Sequence, residues 1–216
     1  MKKLFVWDYH GTLEKGNENC VLYYANLALE RLGYERRLTQ EENLMLYGRA
    51  LHKYFEYLFP EESHEQHLAI QEEFLKLEKE FPEIWDKYLK PNDGVIEVVG
   101  AIHNSHHDQI IISNTEENII EPFVRAIGLE SYFSEGKYFA TNSHLGTKAT
   151  KHDMLKRYMA GKQFDHFVAI GDAPKDLDYV EEYPSTTYLY AHPGWNFREY
   201  PATYQIRDLR EVLKEI

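Results

Sequence analysis

The stretch "LFVWDYHGTLEKG", Leu4 to Gly16, decides how the rest of the chain is read. Four apolar residues end at a single acid, Asp8, and a Gly-Thr pair follows after Tyr9 and His10. A short apolar run that stops at an acid predicts a buried parallel strand, with the carboxylate at its tip. Gly11 permits a tight turn away from that strand, and Thr12 can hydrogen-bond within it. The question is which other residues end strands beside Asp8.

Downstream, the hydrophobic period changes twice. From residue 18 to 90, "CVLYYANLALERLG", "EENLMLYGRALHKYFEYLF" and "EEFLKLEKEFPEIWDKYL" repeat at helical spacing, punctuated by Gly33 and Pro60 and closed by "KPNDG". Strand and helix patterns then alternate: helix "GVIEVVGAIHNS", strand "DQIIISN", helices "ENIIEPFVRAIG" and "KHDMLKRYMAGK", strand "FDHFVAIGD". "TTYLYAH" and "ATYQIRDLREVLKEI" predict two more strands and a last helix. Alternation of this kind gives a doubly wound α/β parallel sheet. The expected core domain is 1–13 plus 91–216, with 14–90 inserted as a helical cap.

Composition narrows the function. The 216 residues carry a net charge of −12, which argues against nucleic acid or an anionic membrane as main partner. No apolar run reaches the length of a membrane span, and the N-terminus meets a charge too early for a signal peptide, so a cytoplasmic location is expected. The one cysteine, Cys20, excludes an internal disulfide and fits a reducing compartment. Nothing in the sequence settles the oligomeric state.

Ligands of such sheets bind beyond the carboxyl ends of the strands. Asp8 ends the first strand, Ser113 and Asn114 end "IIISNT", and Asp172 ends "FVAIGD", with Asp176 four residues on. Lys148 and Lys151 lie in "GTKATK", before the strand that ends in Asp172. Converging carboxylates raise one another's pKa unless a cation neutralises them, and hard oxygen donors suit Mg²⁺. Asp8 is a candidate nucleophile. The helix-terminal alternative for Asp172 and Asp176, an acid pair favoured by the dipole, has less to recommend it in this company.

"DYHGTL", "IIISNT", a lysine and "GDAPKD", in that order, resemble the four motifs of the haloacid dehalogenase-like hydrolase superfamily, specifically its phosphatases with a helical cap inserted after the first motif. The resemblance implies a Mg²⁺-dependent phosphomonoester hydrolase that forms an aspartyl-phosphate on Asp8 and acts on a small soluble metabolite. It implies Asp8, the main-chain carbonyl of His10 and Asp172 as metal ligands, assisted by Asp176. It implies Thr12, Ser113, Asn114 and Lys148 at the phosphoryl group, with Lys151 as the alternative lysine; the 24 residues from Lys148 to Asp172 favour Lys148. His10 departs from the pattern, standing where phosphatases carry aspartate and haloacid dehalogenases tyrosine. An imidazole there can protonate the departing alcohol and then activate water. The alternatives are a carbon–halogen hydrolase, against which the intact "GDAPKD" counts, and a catalytically weak binding protein. Arg49, Lys53 and "GNEN" (16–19) are candidate substrate contacts on the cap. "HNSHHD" (103–108) is expected to be a solvated connection.

Overall fold

The protein is described from a computed structural model covering residues 1–142, 147–192 and 195–216. Its chain divides into two compact units, 1–15 with 90–216 and 16–89. Glu14, Lys15 and Lys90 therefore belong with the sheet, a shift of one or two residues from the expected division.

In the first unit, β1 (Lys3–Trp7), β4 (Asp108–Ser113), β5 (Tyr138–Ala140), β6 (His166–Gly171), β7 (Ser185–Tyr190) and β8 (Tyr204–Ile206) form one sheet in the order β5-β4-β1-β6-β7-β8. Every pairing is parallel. The order reverses direction on either side of β1, which places the winding switch at the end of that strand. Leu4, Val6, Ile110, Ile112, Ala169 and Leu189 are fully buried in the sheet's interior, which accounts for the continuous apolar runs. The helices of this unit are α6 (Val95–His103), α7 (Ile120–Ala126) and α8 (Lys151–Met159). The carboxyl-terminal segment Leu209–Glu215 is 3-10 rather than α-helical, and the short strand β5 carries too little alternation to be seen in the sequence.

Two residue pairs, Glu14–Lys15 (β2) and Lys90–Pro91 (β3), form an antiparallel ribbon where the chain leaves and re-enters this unit. Asn92 ties the turn after β1 to that ribbon, donating to the carbonyls of Thr12 (2.8 Å) and Glu14 (2.9 Å).

The second unit is entirely helical among its described elements: α1 (Asn17–Arg31), α2 (Gln40–Leu46), α3 (His52–Leu58), α4 (His64–Glu80) and α5 (Glu83–Tyr88). Thr39 and Ser63 cap α2 and α4 with reciprocal capping boxes, satisfying backbone donors that each first turn leaves open. Tyr24, Ala28, Phe55, Ile70, Phe74 and Leu77 are buried at the spacing that the sequence displayed. Among the described residues no helix is long and apolar enough to cross a membrane.

Candidate active site

Because β1 and β6 are paired neighbours, with Trp7 opposite Ile170, Asp8 and Asp172 emerge side by side at the carboxyl edge. Asp176 joins them through the 3-10 turn Pro174–Asp176, its Oδ2 accepting the Ala173 N–H at 2.9 Å. One carboxylate oxygen from each of Asp8, Asp172 and Asp176 lies within 4.8 Å of the others. Two glycines make the approach possible. A Cβ on Gly171 would stand 2.2 Å from the Asp176 Cβ, and one on Gly11 (φ +83°) would stand 3.0 Å from the Asp172 carboxyl carbon.

Lys151 is 5% exposed and bridges two of the three acids, Nζ donating to Asp8 Oδ1 at 2.5 Å and to Asp176 Oδ1 at 2.8 Å. It is the first residue of α8, following the Thr150 cap, and side chains there lean toward the helix N-terminus. Lys148 is exposed and lies before the helix, outside any helix or strand. The order of preference read from spacing is thus reversed: a lysine opening α8 reaches the strand ends, and one three residues earlier does not.

The electrostatics follow from crowding. Burial first, then the Asp176 charge, push Asp8 up to about 6, against the pull of Lys151 and His10. Asp172 is raised well above the usual carboxylate range by burial, then by Asp176 and Asp8, with Arg198 at 3.4 Å opposing. Burial would lower the Lys151 ammonium, but Asp176 and Asp8 outweigh it and hold it above its ordinary range. Three carboxylates and one ammonium leave two negative charges on a set of hard oxygen donors, which fits one divalent cation.

Thr12 is fully buried, and its hydroxyl has no hydrogen-bond partner among the described residues. Ser113 is buried at the end of β4 and accepts the Thr115 N–H at 3.4 Å, while Asn114 is exposed and accepts the Thr141 hydroxyl at 3.2 Å. Arg49 and Lys53 are exposed on the helical unit, and Lys53 pairs with Glu56 at 2.7 Å.

Sequence reasoning missed Glu14. It is fully buried, and its Oε1 accepts the Gly11 N–H at 3.3 Å and lies 3.0 Å from His10 Nδ1. A carboxylate there makes Nδ1 the protonated nitrogen and leaves Nε2 for other partners. The ring is wedged edge-on against Tyr9 and Phe123, at 5.0 and 5.1 Å between centroids. His192 also feels Glu14; burial holds its imidazole below the ordinary range while Glu14 and the Gly11 backbone oppose. The available signal was an acid four residues after His10.

Comparison with known proteins agrees with this architecture. The sequence pattern of haloacid dehalogenase-like hydrolases matches residues 5–180. Among solved structures, a predicted phosphoglycolate phosphatase from Haemophilus somnus 129PT is 15% identical, with a TM-score of 0.77 over 99% of this chain and 97% of that one. A haloacid dehalogenase-superfamily hydrolase of subfamily IA from Geobacter sulfurreducens PCA is 18% identical (TM-score 0.66, 99% and 96% covered). A hydrolase of the same family from Deinococcus radiodurans R1, solved with bound phosphate and sodium, is 17% identical (TM-score 0.70, 99% and 96% covered). At these identities the structures speak for the fold alone. No curated protein matches the chain. On the match over residues 5–180, the chain belongs to the haloacid dehalogenase-like hydrolases.

Proposed function

We propose that the protein is a Mg²⁺-dependent phosphomonoester hydrolase that acts on a small phosphorylated metabolite through a phosphoryl group carried on Asp8. The observation that carries this reading is the trio of buried Asp8, half-buried Asp172 and buried Asp176, with Lys151 bonded to Asp8 and Asp176. Asp8 supplies the oxygen that displaces the alcohol at phosphorus, dividing one difficult displacement into two. Lys151 holds Asp8 in place and lies where negative charge builds during transfer. Bound by Asp8, Asp172 and the main-chain carbonyl of His10, with Asp176 assisting, Mg²⁺ would supply charge stabilisation to the phosphoryl oxygens. Thr12, Ser113 and Asn114 complete the phosphoryl cradle.

His10 handles the protons. With Nδ1 on Glu14, the proton for the departing alkoxide leaves from Nε2 as the P–O bond breaks. The neutral ring then takes a proton from the water that attacks the phosphorus on Asp8, freeing phosphate and restoring both side chains. Glu14 is the positioning residue for this exchange: it fixes the tautomer and faces the ring throughout. In this reading the helical unit is the substrate-selecting cap.

A panel of phosphate monoesters assayed with and without Mg²⁺, beside 2-haloacids, tests the proposal. Phosphate release that requires Mg²⁺ and is lost in Asp8→Asn is the expected result. Halide release without metal, or no turnover of any monoester, would overturn it.

A further inference from the structure

A second cluster lies wholly within the helical unit and has no part in the chemistry above. His52 and Glu56 stand one turn apart on α3, and His64 and His67 share the first turn of α4. Glu56 Oε1 is 3.6 Å from His64 Nδ1 and 4.0 Å from His52 Nε2. The His52 and His64 rings meet edge to face at 5.6 Å. One ligand atom each from Glu56, His64 and His67 lies within 4.8 Å of the others.

His67 gives the cluster its direction. It is 4% exposed, and its Nε2 lies 2.8 Å from the Phe59 carbonyl oxygen. A carbonyl only accepts, so Nε2 carries the hydrogen, and the lone pair of the neutral ring falls on Nδ1. That Nδ1 is buried with no hydrogen-bond partner among the described residues. A backbone carbonyl fixing one ring nitrogen while the other is left open is how proteins orient a metal-ligating histidine. Lys53 does the same for the acid, holding Glu56 Oε2 at 2.7 Å while Oε1 turns to the imidazoles.

Helix electrostatics do not explain the arrangement. Imidazoles that acquire charge in the first turn of α4 face the positive end of its dipole.

We propose that His52, Glu56, His64 and His67 form a second metal site, for a zinc-type divalent transition ion, that ties α3 to α4. Glu56, His64 and His67 supply three of the four ligands of a tetrahedral ion, and His52, outside that trio but with Nε2 4.0 Å from Glu56 Oε1, supplies the fourth; a filled set of this kind is the pattern of a structural ion. In such a site, ligand atoms about 2.0–2.1 Å from the ion lie roughly 3.3 Å apart, so the trio within 4.8 Å would close by side-chain rotation and His52 would turn in from the edge of the cluster. The set contrasts with the all-carboxylate cluster of the sheet unit, which suits a harder ion.

The test uses the full chain, stripped with chelator and titrated with Co²⁺ as a spectroscopic stand-in for Zn²⁺. One equivalent should produce the intense visible absorption of a tetrahedral site in the wild type and in Asp172→Asn, whose carboxylate cluster is impaired. His64→Ala and His52→Ala, substitutions at partly exposed positions, should each weaken or remove it. Zn²⁺ at about a hundredfold excess over Kd should raise the wild-type melting temperature by on the order of 5–10 °C, and that of His64→Ala much less. No tetrahedral absorption in the wild type overturns the proposal, as does unchanged binding in both His64→Ala and His52→Ala. Loss of the band in Asp172→Asn alone would move the ion to the sheet unit and also overturn it.

Discussion

Asp172→Asn should stabilise the metal-free protein while removing its response to Mg²⁺. The three carboxylates Asp8, Asp172 and Asp176 lie within 4.8 Å of one another. At that distance and an effective dielectric of about 20, each like-charge pair costs about 3 kcal/mol. Lys151 offsets the charge of Asp8 and Asp176, to which it is bonded, but makes no such bond with Asp172. Arg198, 3.4 Å from Asp172 and about a third exposed, returns about 1 kcal/mol or less. Substituting an amide of the same shape therefore relieves about 2–3 kcal/mol, or roughly 5–10 °C in melting temperature for a chain of this size.

The pH dependence has a definite sign. Asp8 is raised from 3.8 to about 6 by burial and then by Asp176, so between those values the native state holds a proton that the unfolded chain has lost. Stability then falls as pH rises through that window, by about 3 kcal/mol in all, and stays low above it. Asp172, raised in the same direction, adds to the loss. Thermal melts in EDTA at pH 5 and pH 7.5, compared between wild type and Asp172→Asn, isolate the cluster from other titrations. The advantage of the variant should be clear at pH 7.5 and shrink at pH 5. Millimolar Mg²⁺ should raise the wild type alone. A variant that melts below wild type in EDTA at pH 7.5, or that keeps the full Mg²⁺ shift, would refute the reasoning.

Asp8→Asn should leave less than a tenth of wild-type turnover with the far-ultraviolet spectrum unchanged, since the amide keeps the shape and removes the nucleophile. Lys151→Met should cut kcat/KM by about 10²-fold or more and lower stability by about 3–5 kcal/mol, because it strands two buried carboxylates; Lys148→Ala should stay within about twofold in the same steady-state assay. His10→Ala should cost about 10²-fold on alkyl phosphates and far less on aryl phosphates, whose leaving groups need less protonation. Glu14→Leu should reproduce part of that selective loss yet add little in the His10→Ala background, and additive effects in the double variant would separate the two residues.

The sheet was legible because its strands are buried on both faces and so appear as unbroken apolar runs. Asp8 and Asp172 were legible for the same reason, as the polar residues that end those runs, and the parallel pairing of β1 with β6 brings them together. The lysine was harder. Choosing between Lys148 and Lys151 meant knowing where α8 begins, and only the Thr150 capping box, formed with Asp153, fixes that residue. Spacing to Asp172 carries no such information, because it does not say that the helix starts at Lys151 and leaves Lys148 outside it. The carboxyl-terminal segment was misjudged for a related reason. Its apolar residues suit one buried face, which 3-10 and α geometry both provide over so short a length.

Glu14 shows why a one-residue departure is best read with its neighbours. In the proposed reading, histidine at position 10 is a base that needs an oriented ring, where an aspartate would need a raised pKa. Aspartate at that position would have faced Glu14 as a second buried carboxylate, with a desolvation penalty and no compensating charge. Histidine removes the repulsion and turns the same contact into an attraction at 3.0 Å, while Gly11 N–H and the Asn92 bridge hold the loop that carries it. The pair thus accounts for a fully buried carboxylate directly after the turn that carries the histidine. Each residue depends on the other: His10→Asp should lose stability as well as activity, and His10→Asp with Glu14→Val should recover stability. Thermal melts of the single and double variants measure that coupling, and a single variant as stable as wild type would show that Glu14 tolerates a carboxylate beside it.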